Sequence, residues 1–192
     1  MAKRKRRTGR WVLKDDRLFT LEVALIGGPV TEEFVDENPV VSRTIEIRGD
    51  QTLEELHYAI FDAFDREDEH LYEFQMGGKG PMDPKARRYV LRGQFDNPIP
   101  GARKPAGDVT RTSVGSLDVK VDDAFGYWFD FGDDWWHQIN VVAIQDEAPE
   151  GTYPRVTKRV GASPPQYPDW DEEDDEDEDD DWDDEDEPDD ET

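Results

Sequence analysis

Hydrophobic and polar residues alternate along RLFTLEVALIG (residues 17–27), which sets Phe19, Leu21, Val23 and Leu25 against Leu18, Thr20, Glu22 and Ala24. A period of two is the signature of a half-buried strand. VVSRTIEIRG (40–49) repeats it with Val41, Arg43, Ile45 and Ile47 on one face, and its β-branched content favours a strand. The period then changes. In GDQTLEELHYAIFDAFDRED, Leu53, Leu56, His57, Ile60, Phe61 and Phe64 recur at helical spacing, behind Thr52 and Glu55 in the positions of a capping box. HLYEFQMG (70–77) and RRYVLRG (87–93) read as further strands, SVGSLDV as a short helical turn, and GYWFDF with WWHQINVVAI as two strands joined around Gly132-Asp133-Asp134. The segments GGPVTEEFVDENP and QFDNPIPGARKPAGDVTR carry the Gly and Pro punctuation of connections, and the Pro-rich 153–168 stretch closes the domain. The pattern predicts an α+β fold: a mixed, mainly antiparallel sheet with one main amphipathic helix, a β-β-α-β start like that of a β-grasp, and a C-terminal hairpin. No internal repeat is present.

Charge divides the chain into three parts: residues 1–16 as a basic flexible head, 17–168 as the folded domain, and 169–192 as a disordered acidic tail. Of the formal net charge of −26, residues 169–192 contribute 20 acids and no base, whereas residues 1–10 contain six bases and no acid. A segment with only Trp170 and Trp182 to bury, and with strong self-repulsion, does not offset the entropy of folding. Lys3, Arg4, Lys5, Arg6 and Arg7 are candidate nucleic-acid contacts, since such clusters bind phosphates by releasing counterions. A second basic group, Lys79, Lys85, Arg87, Arg88, Arg92, Arg103, Lys104 and Arg111, falls between 79 and 111 and suits either nucleic acid or an acidic partner, this chain's own tail included. The chain has no cysteine, which excludes disulfides, thiolate metal sites and Cys nucleophiles. No apolar run approaches the ~20 residues of a membrane span, and no signal-peptide core follows the basic start, so a cytoplasmic protein without membrane contact is expected.

LEELHYAIFDAF, EHLYEF, YWFDFGDDWWHQI and GASPP occur in that order across roughly residues 17–167, and together they resemble the plasmid pRiA4b ORF-3-like family. FDFGDDWWH is similar to that family's aromatic-Asp-Phe-Gly-Asp-x-Trp-x-His signature. The resemblance implies a single compact α+β domain and kinship with passenger proteins of plasmids and insertion elements, one branch of which carries a resolvase-like label. The activated Ser, its Arg partners and the helix-turn-helix of a serine resolvase are not recognisable here. Two departures stand out: Pro164-Pro165 is followed by Gln166 and Tyr167 where the family pattern runs Pro-Pro-Glu-Asp, and Ser42-Arg43 stands where Trp-Arg is common.

The three histidines, His57, His70 and His137, all lie within these motifs. With Asp130, Asp133, Asp134 and Trp135 they form the candidate functional cluster, able in principle to bind zinc, manganese or iron or to carry acid–base chemistry near neutral pH. No pair has a tight ligand spacing. The structural alternative is that His57 is a core residue, that Asp133 and Asp134 are β-turn residues, and that Asp130 points away from Phe129 and Phe131, alongside Trp128. GGKGP (77–81) shares only its glycines with a phosphate-binding loop. No cofactor is called for. The favoured expectation is a mobile-element-associated binding or accessory module acting through a protein partner. A metal-dependent or acid–base enzyme centred on FDFGDDWWH and a nucleic-acid-binding accessory protein are the rivals.

Overall fold

A computed structural model describes residues 14–67, 69–96 and 104–168. The expected basic head at Lys3–Arg7 and the acidic tail lie outside the described residues. Asp15 and Asp16, just before the first strand, are already tied to the domain: the carbonyl of Asp15 accepts from the Asp50 N–H, and Arg48 reaches Asp16.

Eight strands form one sheet in the order β5-β4-β3-β6-β7-β1-β2-β8. In chain order they are β1 (Leu18–Gly27), β2 (Ser42–Arg48), β3 (Tyr72–Met76), β4 (Arg87–Val90), β5 (Gly107–Asp108), β6 (Ala124–Phe129), β7 (Trp135–Gln145) and β8 (Arg155–Val160). Every pairing is antiparallel except β4 with β5. The helices are α1 (Glu32–Glu37), α2 (Leu53–Ala63) and α3 (Arg92–Asp96), and a 3-10 turn spans Val114–Leu117. The β-β-α-β order stands. The strand after α2 does not return beside β1, however, because the β6–β7 hairpin lies between them.

The alternation read in β1 and β2 becomes the inner face: Phe19, Leu21, Val23, Ile45 and Ile47 are buried in the core that α2 helps to close. The capping box forms as its residues require. Thr52 Oγ1 accepts from the Glu55 N–H at 3.2 Å, and Glu55 accepts from the Thr52 N–H at 2.7 Å. Leu53, Leu56, His57, Ile60 and Ala63 form the buried stripe of α2, and Phe64 caps it.

Arg43 lies on the inner face although it is a cation, because the end of α2 gives it work. It is 1% exposed and donates to the carbonyls of Ala63, Ser42, Val160 and Gly161 and to Ser163 Oγ, at 2.8–3.2 Å. Carbonyls at a helix C-terminus attract positive charge, so one side chain locks α2, β2 and the chain beyond β8 together. Arg159 donates to the same Ala63 carbonyl.

Four elements, all short or polar, fall wholly or partly in segments read as connections: α1, α3, β5 and β8, with α3 ending the RRYVLRG strand at Val90. α1 begins at Thr31, whose hydroxyl accepts from the Phe34 N–H. It lasts six residues, too few to establish a period. β8 is an edge strand with Lys158 and Arg159 exposed, a composition that protects a sheet edge and hides the strand from hydropathy. The GGKGP loop spends the Lys79 N–H on Asp83 Oδ2 and covers Gln75, which accepts from the Met82 N–H.

Gly28 touches the centre of the sheet. Its φ of 151° suits glycine, and a Cβ there would overlap the Trp135 ring. Gly28→Ala is expected to lower stability by roughly 1–3 kcal/mol through overpacking and backbone strain, seen as a lower urea midpoint. An unchanged midpoint would contradict this packing.

Candidate functional site

The β6–β7 hairpin pairs Phe129 with Trp135 and Tyr127 with His137, and residues 130–134 turn the chain. Asp130 and Asp134 both take positive φ, 55° and 56°, and the Asp134 N–H donates to the Asp130 carbonyl at 2.8 Å. Asp130 also holds the turn through its side chain, with Oδ1 accepting from the N–H of Gly132 at 3.0 Å. Trp128 Nε1 donates to Asp134 Oδ1 at 2.9 Å. Asp133 is half-buried and Asp134 exposed in this turn, the structural role open to them from sequence.

Strand alternation would place Asp130 with Trp128 on the outer face. The left-handed backbone at Asp130 ends that alternation, and its carboxylate is buried instead, with Oδ2 3.4 Å from His70 Nε2. His70 Nε2 also lies 2.9 Å from the Tyr167 hydroxyl. Next to this, the Glu67 N–H donates to Gln166 Oε1 at 2.8 Å. The two residues that replace the family's acidic pair therefore attach the C-terminal segment of the domain to the chain after α2.

His57 and His137 are buried on either side of Tyr127. His57 Nδ1 and the Tyr127 hydroxyl share a 2.8 Å hydrogen bond, and the imidazole stacks on Tyr72 with centroids 3.6 Å apart. Burial depresses the His57 pKa to about 3. His137 meets Phe64 edge-on at 4.8 Å. Burial first, and the positive charge of Arg66 second, also bring His137 to about 3. The carbonyls of Trp135 and Tyr127 oppose that shift, yet neither ring nitrogen of His137 has a hydrogen-bond partner of acceptable geometry. Both imidazoles are thus neutral at physiological pH.

Arg66 was not a candidate from sequence. Set among the acids of DREDE, it reads as a solvated surface charge. In the structure it is 7% exposed and its guanidinium lies 3.5 Å from the centroid of the Trp135 ring. Burial lowers its pKa to about 10, with the charges of Tyr127 and Asp130 opposing. The ring of Tyr127, also missed, joins the histidines.

Seven residues were proposed to act together. His57, Trp135, His137 and Asp130 share the buried inner layer, His70 sits at its rim, and Asp133 and Asp134 stay in the turn. Among the described residues, no group of three or more His, Asp or Glu side chains is arranged to hold a metal ion. The inner layer brings together two imidazoles, the Tyr127 hydroxyl, the Asp130 carboxylate and the Arg66 guanidinium.

Outside, the period of two puts Trp136 and Trp128 opposite Trp135. Their rings stack at 4.5 Å and 15°, and Phe131 packs on Trp128 at 4.2 Å. A groove beside them is lined by Trp136, Ile26, Phe125, Gly126, Lys79 and Pro81. Ile26 is 52% exposed, and Val142 on the same strand as Trp136 is similarly open.

The plasmid pRiA4b ORF-3-like protein model matches residues 31–169. The chain belongs to that family. The fold is similar to the crystal structure of a protein of unknown function, MM3350, from Methanosarcina mazei Go1, with a TM-score of 0.59, 23% identity, and coverage of 78% of this chain and 72% of that one. At that identity the likeness is one of fold. No curated protein matches this chain. Among the described residues no helix is long and apolar enough to cross a membrane.

The neutral histidines give a signed pH dependence. The unfolded chain binds protons at these positions below about pH 6.5, whereas the folded protein does so only near pH 3, so stability is lost as pH falls through that interval. Each histidine contributes a slope of up to about 1.4 kcal/mol per pH unit. Asp15 and Asp83, whose pKa values are depressed below the usual 3.8, add losses at lower pH. His137→Leu is expected to flatten the slope between pH 6.5 and about 4 in urea unfolding. An unchanged slope would show that His137 is not held neutral.

Proposed function

We propose that this domain is a non-enzymatic binding module of mobile-element setting that acts through a protein partner, recognised on the outer face of the β6–β7 hairpin. The observation that supports this most is the Trp128–Trp136 stack with its adjoining groove. Aromatic side chains that offer large rigid area with a polar tip dominate protein interfaces. A sheet face is also flat enough to receive an extended polypeptide. The buried Glu73 on β3 and the half-buried Arg88 on β4 flank the stack as an ion pair and give it a polar border. The enzyme alternative finds little support, because both buried imidazoles are held far below the pKa that acid–base work needs. The nucleic-acid alternative loses Arg88, which is committed to Glu73, and draws Arg111 toward Asp108.

The test is site-specific photo-crosslinking from position 26 in cells that carry the native gene. Adducts with one polypeptide are expected, and Trp136→Ala should abolish them. Loss of one aromatic anchor costs about 2 kcal/mol, roughly 30-fold in affinity. Adducts that persist in Trp136→Ala, or crosslinks chiefly to nucleic acid, would overturn the reading.

A further inference from the structure

Arg43 and Arg66 are both buried, and they are treated in opposite ways. Arg43 spends its guanidinium on four carbonyls and a hydroxyl. Arg66 has none: Nε, Nη1 and Nη2 are sealed from solvent without a hydrogen-bond partner. Stacking on Trp135 answers part of its charge through the ring face but leaves every N–H unspent. Two more unpartnered groups lie in the same layer, the Trp135 indole Nε1 and both nitrogens of His137. Asp130, the carboxylate whose charge acts on Arg66, is engaged by the N–H of Gly132 and by His70. Buried polar groups are ordinarily paired, and a buried unpaired guanidinium is the most costly exception.

We infer that Arg66, Trp135 and His137 form a receptor for a small oxyanion, a carboxylate or a phosphate group, held inside the inner layer. The unmatched atoms have the right sign for it. The guanidinium offers a planar fork of donors that matches two oxygens of such a group. The indole offers one N–H, and the neutral imidazole offers one more from whichever nitrogen carries its proton. Gly28 lies against the Trp135 ring, where a Cβ would overlap it. Entry requires the segment of Pro164–Tyr167 to lift. That segment is attached at Glu67, the residue after Arg66, through Gln166, and at His70 through Tyr167. This site is on the opposite face of the sheet from the Trp128–Trp136 stack, so it stands or falls independently of the partner surface.

The experiment follows the Trp135 indole N–H resonance of the full-length chain, identified by its loss in Trp135→Phe. The chain is titrated with sodium phosphate and, separately, with sodium acetate, against sodium chloride at matched ionic strength. A saturable displacement by one of the two anions and not by chloride is expected, and which anion acts tells a phosphate ligand from a carboxylate. Arg66→Met should abolish the displacement and raise the melting temperature of the anion-free protein, because it removes an unpaired buried charge. Arg66→Lys, which keeps the charge, should bind on the order of tenfold more weakly, since a bidentate fork becomes a single point charge. Failure of both anions to displace the resonance in the wild-type chain would overturn the inference. So would a lower melting temperature for Arg66→Met, which would mean that Arg66 is already satisfied, by Asp130 or by buried water.

Discussion

Eight strands at ~4.8 Å spacing span roughly 34 Å, whereas the eleven residues of α2 make a rod about 16 Å long and ~10 Å wide. The inner face of this sheet is therefore far larger than the one long helix available to cover it, and the rest of the structure answers that mismatch. α2 packs across β2 and β8. The central hairpin and β3 rely instead on an aromatic layer in which His57, Tyr72, Tyr127 and Phe129 stack or tilt against one another. Large rings fill area at low conformational cost, and the Tyr127 hydroxyl with the His57 imidazole gives the layer an internal hydrogen bond. The 3-10 turn supplies Val114 and Leu117 to the same core.

Long cationic side chains close what remains. An arginine carries both a stem that covers apolar surface and a flat head that stacks on rings, and Arg43 over Phe64 and Arg66 over Trp135 both do so. Their difference is that the helix end provides acceptors for one and nothing does so for the other. Among the described residues, the covering strategy leaves charge without hydrogen-bond partners at Arg66, next to the residues that Gln166 and Tyr167 fasten.

Sequence made the scaffold legible wherever one face was consistently apolar. Phe19, Leu21 and Val23 in β1, Ile45 and Ile47 in β2, and the capped stripe of α2 follow from period and capping alone. β8 was hidden because an edge strand is protected by charge, and α1 because six residues hold less than two turns. The hairpin was found, and Trp135 and Trp136 were separable by alternation, but the inward turn of Asp130 depends on a positive φ that no pattern of polarity encodes. Arg66 was invisible for a related reason: its four nearest neighbours in sequence include three acids, and only the tertiary fold takes it out of water. Membership of the plasmid pRiA4b ORF-3-like family confirms the motifs on which the resemblance rested.

The claim beneath all of this is that the inner face is closed in solution, with His57 and His137 neutral inside it. Titration of the imidazole ring resonances between pH 8 and pH 5 tests that claim most directly. Closure predicts that His57 and His137 keep single-tautomer neutral shifts throughout, consistent with pKa values near 3. A protonation step at either ring close to the ordinary 6.5, in protein that remains folded, would show the layer open to water and contradict the account.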